Sequence, residues 1–355
     1  MIKDKLIKGM ANDAVMATLT PFKEELTQYR GISSPGVVTN MINPSLSFLS
    51  DDKFEFDQIS RNVGSFGGGA YDGAGPVGQK NTNKVQIFKV PAYLYQTGIS
   101  AAELKSRRKP GTSSMSVNFT DVANEEAAKV PLMIDLLNEY QLMKVITTDT
   151  QDSLGGVLTM SNYHTELVGS ARAAATAVTA ASDLSTYRAI TETAVDELQE
   201  EATKEGLNPQ RWVKLCGATY FDEVRKKEEL VSLGRDIRGL DLAQLGTPTF
   251  RDREYANIRT FEGSDGITYI KYNVAMYGNK LVGANEAYLL PLGVEEMFSM
   301  QFAPKVTLAN MDEAAIALYS AAKVAQDESS VEYAFQTNRL YFNAYPQLIR
   351  KFVIS

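Results

Sequence analysis

One histidine, His164, and one cysteine, Cys216, are the natural candidates for nucleophilic chemistry, and a Cys/His dyad is what they would build. Such a dyad needs a reachable thiolate beside the imidazole. Cys216 instead closes the apolar run WVKLC, where a buried, inert thiol is the usual state. A lone histidine also excludes a His-rich metal centre. Asp149 and Asp152 could ligate a cation, but no EF-hand spacing surrounds them, and paired carboxylates near a helix end are ordinarily solvated. The stretch GSFGGGAYDGAGPVG, residues 64–78, holds seven glycines in fifteen positions. It lacks both a following Gly-Lys-Ser/Thr and a helix start, so it does not read as a phosphate cradle. Arg225, Lys226 and Lys227 lie on the outer side of an amphipathic helix and read as a solvated face, with an intersubunit ion pair as the alternative. Nothing here assembles a nucleophile, a base and an oxyanion donor. No catalytic, metal-binding or cofactor-binding residue is assigned.

The glycine-rich stretch has a structural reading. It is the tip of a long β-hairpin between Phe54 and Leu104, and so many glycines specify no packed structure of their own. In the outgoing leg Phe54, Phe56, Gln58 and Ser60 alternate with Glu55, Asp57 and Ile59. In the returning leg, VQIFKVPAYLYQ, Val85, Ile87 and Tyr93 share one face and Phe88, Val90 and Leu94 the other. Legs of ten to twelve residues reach roughly 35 Å at ~3.3 Å per residue. A two-stranded ribbon of that length is marginal alone. The returning leg is apolar on both faces and no nearby segment is an evident cover, so a second subunit is the expected one; a hairpin lying on its own domain is the alternative.

The chain has 355 residues and 44% apolar content, enough for two cores. A single cysteine excludes an internal disulfide framework. No apolar run of eighteen residues occurs, and the first ten residues are interrupted by Lys3, Asp4, Lys5 and Lys8, so neither a signal peptide nor a membrane partner is expected. The net charge of −7 is dispersed, which argues against a dedicated nucleic-acid reader. Along the chain, residues 1–50 read as an irregular arm with a short helix at Ile2 to Met10. SRRKPGTSS, residues 106–114, is a basic linker. A long helix is expected from Asp121, as its cap, to Thr148, with Val130, Met133, Leu137 and Tyr140 as its apolar stripe, widened by Leu136 and Met143. Pro131 within it predicts a kink or a later start. VLTMSNYHTELV (157–168) reads as a strand, and Ser170 to Ala181 is open between helix and linker. A helix begins at Asp183 and stops at Gly206 and Pro209, WVKLC (212–216) is a strand, and a second helix spans about Thr219 to Leu233. Residues 235–253 form a polar loop. Strands at Tyr255 to Phe261 and Ile267 to Met276 turn through Asp265 and Gly266. A strand near Ala287 to Leu292, a helix around Met311 to Ala325 and a final pair of strands broken at Pro346 complete the chain.

At AYLLPLGVEEMFSMQFAPKV (287–306) the sequence resembles the lambda-type bacteriophage major capsid proteins, the capsid protein E family, through Pro291, Leu292, Gly293, Phe298, Phe302, Ala303 and Pro304. VPAYLYQTGISAAEL (90–104) is similar to the returning leg of that family's extended loop. The order of these motifs along residues 50–355 carries the resemblance. It implies an α+β chain with the Hong Kong 97-like capsid fold: an N-terminal arm (1–53), an extended loop (54–104), a peripheral domain (105–182 and 301–355) with a spine helix at 121–148, and an axial α/β domain (183–300). The function implied is an icosahedral head shell of a tailed phage, built from hexamers and pentamers of this chain in the host cytoplasm. The partners implied are a scaffolding protein, a portal protein, a candidate decoration protein, and double-stranded DNA contacted without base reading. Phe54, Phe56, Gly73, Gly75, Lys80, Lys84, Phe88 and Tyr93 are the loop residues implied in assembly. Some shells of this fold carry lysine-to-asparagine bonds. Lys80 and Lys84 are the lysines near the tip, but no motif assigns an acceptor and no cross-link is inferred. No charged helical extension precedes the arm, so scaffold and protease are expected as separate chains. The alternatives are an encapsulin-like compartment and a Cys/His hydrolase.

Overall fold

A computed structural model describes residues 36–60, 82–106, 119–151, 162–236, 259–276, 278–305, 314–324 and 329–355. In chain order these form α1 (Val37–Ile42), β1 (Ser45–Phe48), β2 (Lys53–Ser60), β3 (Thr82–Lys89), β4 (Ala92–Ser100), α2 (Ala101–Ser106) and α3 (Phe119–Thr148). A π-helical turn at His164–Val168 precedes β5 (Thr176–Val178), α4 (Leu184–Lys204), β6 (Arg211–Cys216), α5 (Ala218–Asp236), β7 (Thr260–Glu262) and β8 (Thr268–Lys271). The small ribbon β9 (Ala275–Met276) and β10 (Asn279–Lys280) leads to β11 (Glu286–Leu292), β12 (Phe298–Phe302), β13 (Tyr319–Val324), β14 (Ser330–Asn343) and β15 (Arg350–Ile354).

Two sheets organise the chain. One is built on β14, whose first half lies between β4 and β13 and whose second half pairs antiparallel with β12, with β1 running parallel to β12 beyond it. The other has the order β5-β15-β11-β6-β8-β7. β11 is buried along almost its whole length and is flanked by β15 and β6, which explains an unbroken apolar run where an alternating strand would expose every second residue. Pro291 falls where only β6 flanks β11, a setting that tolerates a missing N–H. Gly293 follows at φ 77°, where any other residue is strained, and a Cβ there would also have to displace the Gln210 side chain 2.6 Å away. α4 starts where expected: the Asp183 carboxylate accepts the Thr186 N–H at 2.9 Å, and Leu184, Tyr187, Ala194, Leu198 and Ala202 are buried. Gly206, at φ 71°, ends the segment.

Several expectations are corrected. The long helix α3 begins at Phe119 and runs unbroken through Pro131, so Asp121 lies inside it and does not cap it. Its buried face is Val130, Ile134, Leu137, Tyr140 and Met143, whereas Met133 and Leu136 are 41% and 43% exposed. The HTELV part of the expected strand is the π-helical turn. Tyr319–Val324, expected within a helix, is a strand, because alanine-rich segments carry no strong periodicity and pairing with Gln336 to Val331 decides. Ser170 to Ala181 contains no helix, and its Thr176–Val178 adds in parallel to β15. Of the expected strand at Tyr255 to Phe261 only the end is described, as part of β7. The N-terminal helix at Ile2 to Met10, the linker's residues 107–114 and the polar loop beyond Asp236 lie outside the described residues.

The returning leg of the hairpin is not one strand. Val90 donates to the Asp52 carbonyl at 3.2 Å and closes the ribbon, Pro91 interrupts it, and β4 leaves to pair with β14 over nine residues. The hairpin proper therefore has legs of eight residues, paired from Lys53↔Lys89 to Ser60↔Thr82.

Candidate assembly surface

Alternation divides the hairpin into two unlike faces. Phe54, Phe56, Gln86 and Phe88 turn toward the body; Glu55, Asp57, Val85 and Ile87 turn outward. The inner face is anchored on Phe342 of β14. Its ring centroid lies 5.1 Å from Phe54, 4.8 Å from Phe56, 5.2 Å from Phe88 and 5.4 Å from Tyr163. These tilted and edge-on rings are the arrangement that aromatic quadrupoles favour. The Tyr163 hydroxyl donates to the Tyr341 carbonyl at 2.7 Å, and burial pushes its ionisation far upward. Lys84 donates through Nζ to the Glu166 carbonyl at 3.3 Å, and Gln86 donates to the same oxygen. The expectation that a second subunit covers the ribbon is thus corrected for one face, where the alternative holds and the chain's own β14 and π-helical turn are the cover. The outward face stays open, with Val85 57% and Ile87 60% exposed.

Beneath the hairpin a buried polar network joins the sheet to the spine helix. Arg339, fully buried on β14, donates to Thr337 Oγ1 at 2.7 Å, to Asn138 Oδ1 at 2.6 Å and to the Ala317 carbonyl at 3.1 Å. Asn138 Oδ1 also accepts the Tyr341 hydroxyl at 2.7 Å. Gln151 donates to Tyr93 Oη at 2.5 Å and to the Arg339 carbonyl at 3.0 Å, while its own carbonyl accepts the Tyr341 N–H. The Phe-Ala-Pro motif meets this network. The Arg339 guanidinium lies 4.9 Å from the Phe302 ring, Phe48 stacks on Phe302 at 4.8 Å, Ala303 donates to the Asn338 carbonyl, and Asn338 donates to the Pro304 carbonyl. The protein therefore spends buried polar groups on holding hairpin, sheet and helix in one register, in the way satisfied networks specify a unique packing.

Phe54, Phe56 and Phe88 come together, Tyr93 is linked through Gln151 to Arg339 and so to Phe302, and Pro304 joins through Asn338. Pro291, Leu292 and Gly293 lie in the other sheet. Gly73, Gly75 and Lys80 are outside the described residues. The members missed from sequence are Asn138, Gln151 and Arg339. No break in an apolar pattern marked them: Gln151 stands in the polar stretch TTDTQDS, Arg339 follows QTN, and Asn138 is next to Glu139.

The residues first considered for chemistry are all engaged structurally. Cys216 is fully buried, donates to the Lys214 carbonyl at 3.4 Å, and burial pushes its thiol well above the ordinary range. The His164 Nδ1 lies 2.8 Å from the Ser170 carbonyl. Asp149 pairs with Arg172; burial nevertheless raises its carboxyl above the usual range. Asp152 is outside the described residues. Lys226 pairs with Glu223 at 2.9 Å, and Lys227 donates to the Ala180 and Ser182 carbonyls, so this basic run is tied down within its own subunit. Among the described residues no three carboxylate, histidine or cysteine side chains group as metal ligands, and no helix is long and apolar enough to cross a membrane.

With this geometry in place, the comparisons are direct. The model of the family described as phage major capsid protein E matches residues 36–354. The chain belongs to that family. No curated protein matches it in sequence. Among solved structures, the putative capsid protein of a prophage of E. coli CFT073 aligns at TM-score 0.51 with 10% identity, covering 97% of this chain and 98% of the other. The capsid of Ralstonia phage GP4 aligns at TM-score 0.51 with 10% identity, covering 91% and 92%. The holo-SrpI encapsulin complex from Synechococcus elongatus PCC 7942 aligns at TM-score 0.45 with 10% identity, covering 90% of each chain. At such identities the fold is what is shared, and it is the α+β Hong Kong 97-like capsid fold. This family member is a phage major capsid protein, a structural protein of the virion shell.

Proposed function

We propose that this capsid protein closes into the icosahedral head of a tailed phage, as hexamers and pentamers, by laying the outward face of its hairpin on a neighbouring subunit. The observation that supports this reading is the asymmetry of the ribbon: one face is locked onto Phe342, while Val85 and Ile87 on the other are more than half exposed. Val85 and Ile87 lie on the same open face of one strand, and adjoining exposed apolar side chains of this kind are what an interaction surface presents. The role is architectural, without catalysis. Assembly takes place in the host cytoplasm around a separate scaffolding protein and a portal protein, and a decoration protein is a further candidate partner. The shell then holds double-stranded DNA through solvated charge, with no base readout.

The parts divide as an arm (1–53), an extended loop (54–104), a peripheral domain around the spine helix and β14, and an axial domain around β11. Sheet pairing supports extending the axial domain to include Thr176–Val178 and Arg350–Ile354, which both lie in the β11 sheet. Lys84, Gly73, Gly75 and Lys80 belong to the loop and its tip, and we assign them no bond to a neighbour. An encapsulin-like compartment is set aside because the family match is to phage capsid proteins. Electron microscopy of the purified protein, alone and with its scaffold, tests the reading. Closed shells or hexamer and pentamer rings are expected; a protein that stays monomeric at every concentration overturns it.

A further inference from the structure

One buried carboxylate joins three parts of the subunit. Glu139 of the spine helix meets α1 on one side: Oε1 accepts the Val38 N–H at 2.9 Å, and Oε2 accepts the Thr39 N–H and the Thr39 hydroxyl, each at 2.9 Å. On the other side the same Oε1 accepts the Tyr272 hydroxyl at 3.3 Å. Tyr272 is buried, follows β8 directly and donates its own N–H to the Cys216 carbonyl of β6 at 2.8 Å, so it belongs to the end of the six-stranded sheet. The backbone closes tightly over the carboxylate at Gly36, where a Cβ would lie 2.5 Å from Oε2. Among the described residues no cation pairs with Glu139; its partners are these donors. The four of them fill roughly the four acceptor positions that a carboxylate offers. Buried and without a counter-ion, the group depends on every donor it has, because neither water nor an ion replaces a lost one.

We propose that Glu139 is a coupling residue, which transmits the state of α1 to the six-stranded sheet and back, so that loosening either contact loosens the other. Val38 and Tyr272 share one oxygen, and Thr39 holds the second oxygen of the same rigid group. A rotation of the carboxylate that follows one partner therefore leaves the others. Sites tied to one two-sided contact of this kind are energetically coupled although they are far apart in the chain. The coupling lies within one subunit and stands whether or not the shell arrangement above is correct.

Amide hydrogen exchange in unassembled full-length subunits tests it. Tyr272→Phe keeps the ring and deletes one hydroxyl, and it is expected to speed exchange at Val38 and Thr39 about fivefold or more. Tyr269→Phe is the control: its hydroxyl, on β8 itself, donates to Asp265 at 2.6 Å and not to Glu139, so its loss should leave Val38 and Thr39 unchanged. Glu139→Gln keeps the shape but exchanges one acceptor oxygen for a donor, and in that background Tyr272→Phe should add less than about twofold. Coupling is reciprocal, so Gly36→Ala, which pushes the carboxylate aside, should speed exchange of the Tyr272 amide. Exchange at Val38 and Thr39 that ignores Tyr272→Phe, or that rises equally with Tyr269→Phe, would overturn the proposal. So would a Tyr272→Phe effect undiminished by Glu139→Gln, or a Tyr272 amide indifferent to Gly36→Ala.

Discussion

Replacing Val85 and Ile87 together by threonine should impair assembly and spare the subunit. Both side chains are already more than half in water, 57% and 60% exposed, so the isolated fold gains little from them. Threonine keeps the β-branch that the strand favours, and exposed substitutions of this kind change stability by about 0.5 kcal/mol or less each. Full burial of such an aliphatic side chain contributes ~1.5–3 kcal/mol, so covering the exposed half of each gives about 1–1.5 kcal/mol, or roughly 2–3 kcal/mol per hairpin contact. That corresponds to about 30- to 150-fold in the association constant of each contact. The threshold concentration for shell formation, read by light scattering or sedimentation, should rise by at least that order. Urea unfolding of unassembled subunits should hardly move. Phe88→Ala is the contrast: Phe88 is 5% exposed and packs on Phe342, so its loss should cost the subunit itself about 3–5 kcal/mol. An unchanged assembly threshold for the double variant would refute the reasoning, as would a large loss of subunit stability.

Three further outcomes follow from the interior. Lys214, fully buried between Thr191 and the Tyr220, Tyr269 and Phe352 rings, is pushed down by burial to about 8 from an ordinary 10.5. The unfolded chain then holds more protons than the folded one between those two values, so stability relative to Lys214→Met should rise with pH from about 8 toward 10, by an amount on the order of 3 kcal/mol; parallel unfolding curves across that window would contradict the burial argument. Asn138→Leu removes the acceptor shared by Arg339 and Tyr341 and should destabilise the subunit by roughly 3 kcal/mol or more, measured by urea unfolding; a loss below ~1 kcal/mol would mean that the network does not tie the spine helix to β14. Cys216 should resist thiol reagents until the chain unfolds, and Cys216→Ala should still assemble; fast stoichiometric labelling of the folded protein would contradict its burial.

Local signals made much of the fold legible. Asp183, Gly206 and Gly293 act through their own backbone neighbourhoods, so the start and stop of α4 and the turn after β11 could be read without knowing what packs against them. The alternation of β3 likewise separated Phe88 from Ile87. What remained hidden depends on distant partners. Tyr319–Val324 is a strand because β14 offers it an edge, and nothing in its own composition says so. Met133 and Leu136 fit the apolar stripe of α3 by spacing, yet they are exposed because the sheet meets the helix on the side of Ile134 and Leu137. The cover of the hairpin's inner face came from Phe342, separated from Phe54 by most of the chain, and the Arg339 network joins residues some two hundred positions apart. Pairings at such separations leave no periodic trace.

The claim on which the whole reading depends is that the hairpin's outer face is finished by a neighbour. A three-dimensional reconstruction of the assembled particle measures this directly. Val85 and Ile87 should be found in contact with an adjacent subunit while Phe54 and Phe88 keep their places on Phe342. Both residues remaining in solvent within a closed shell would contradict it.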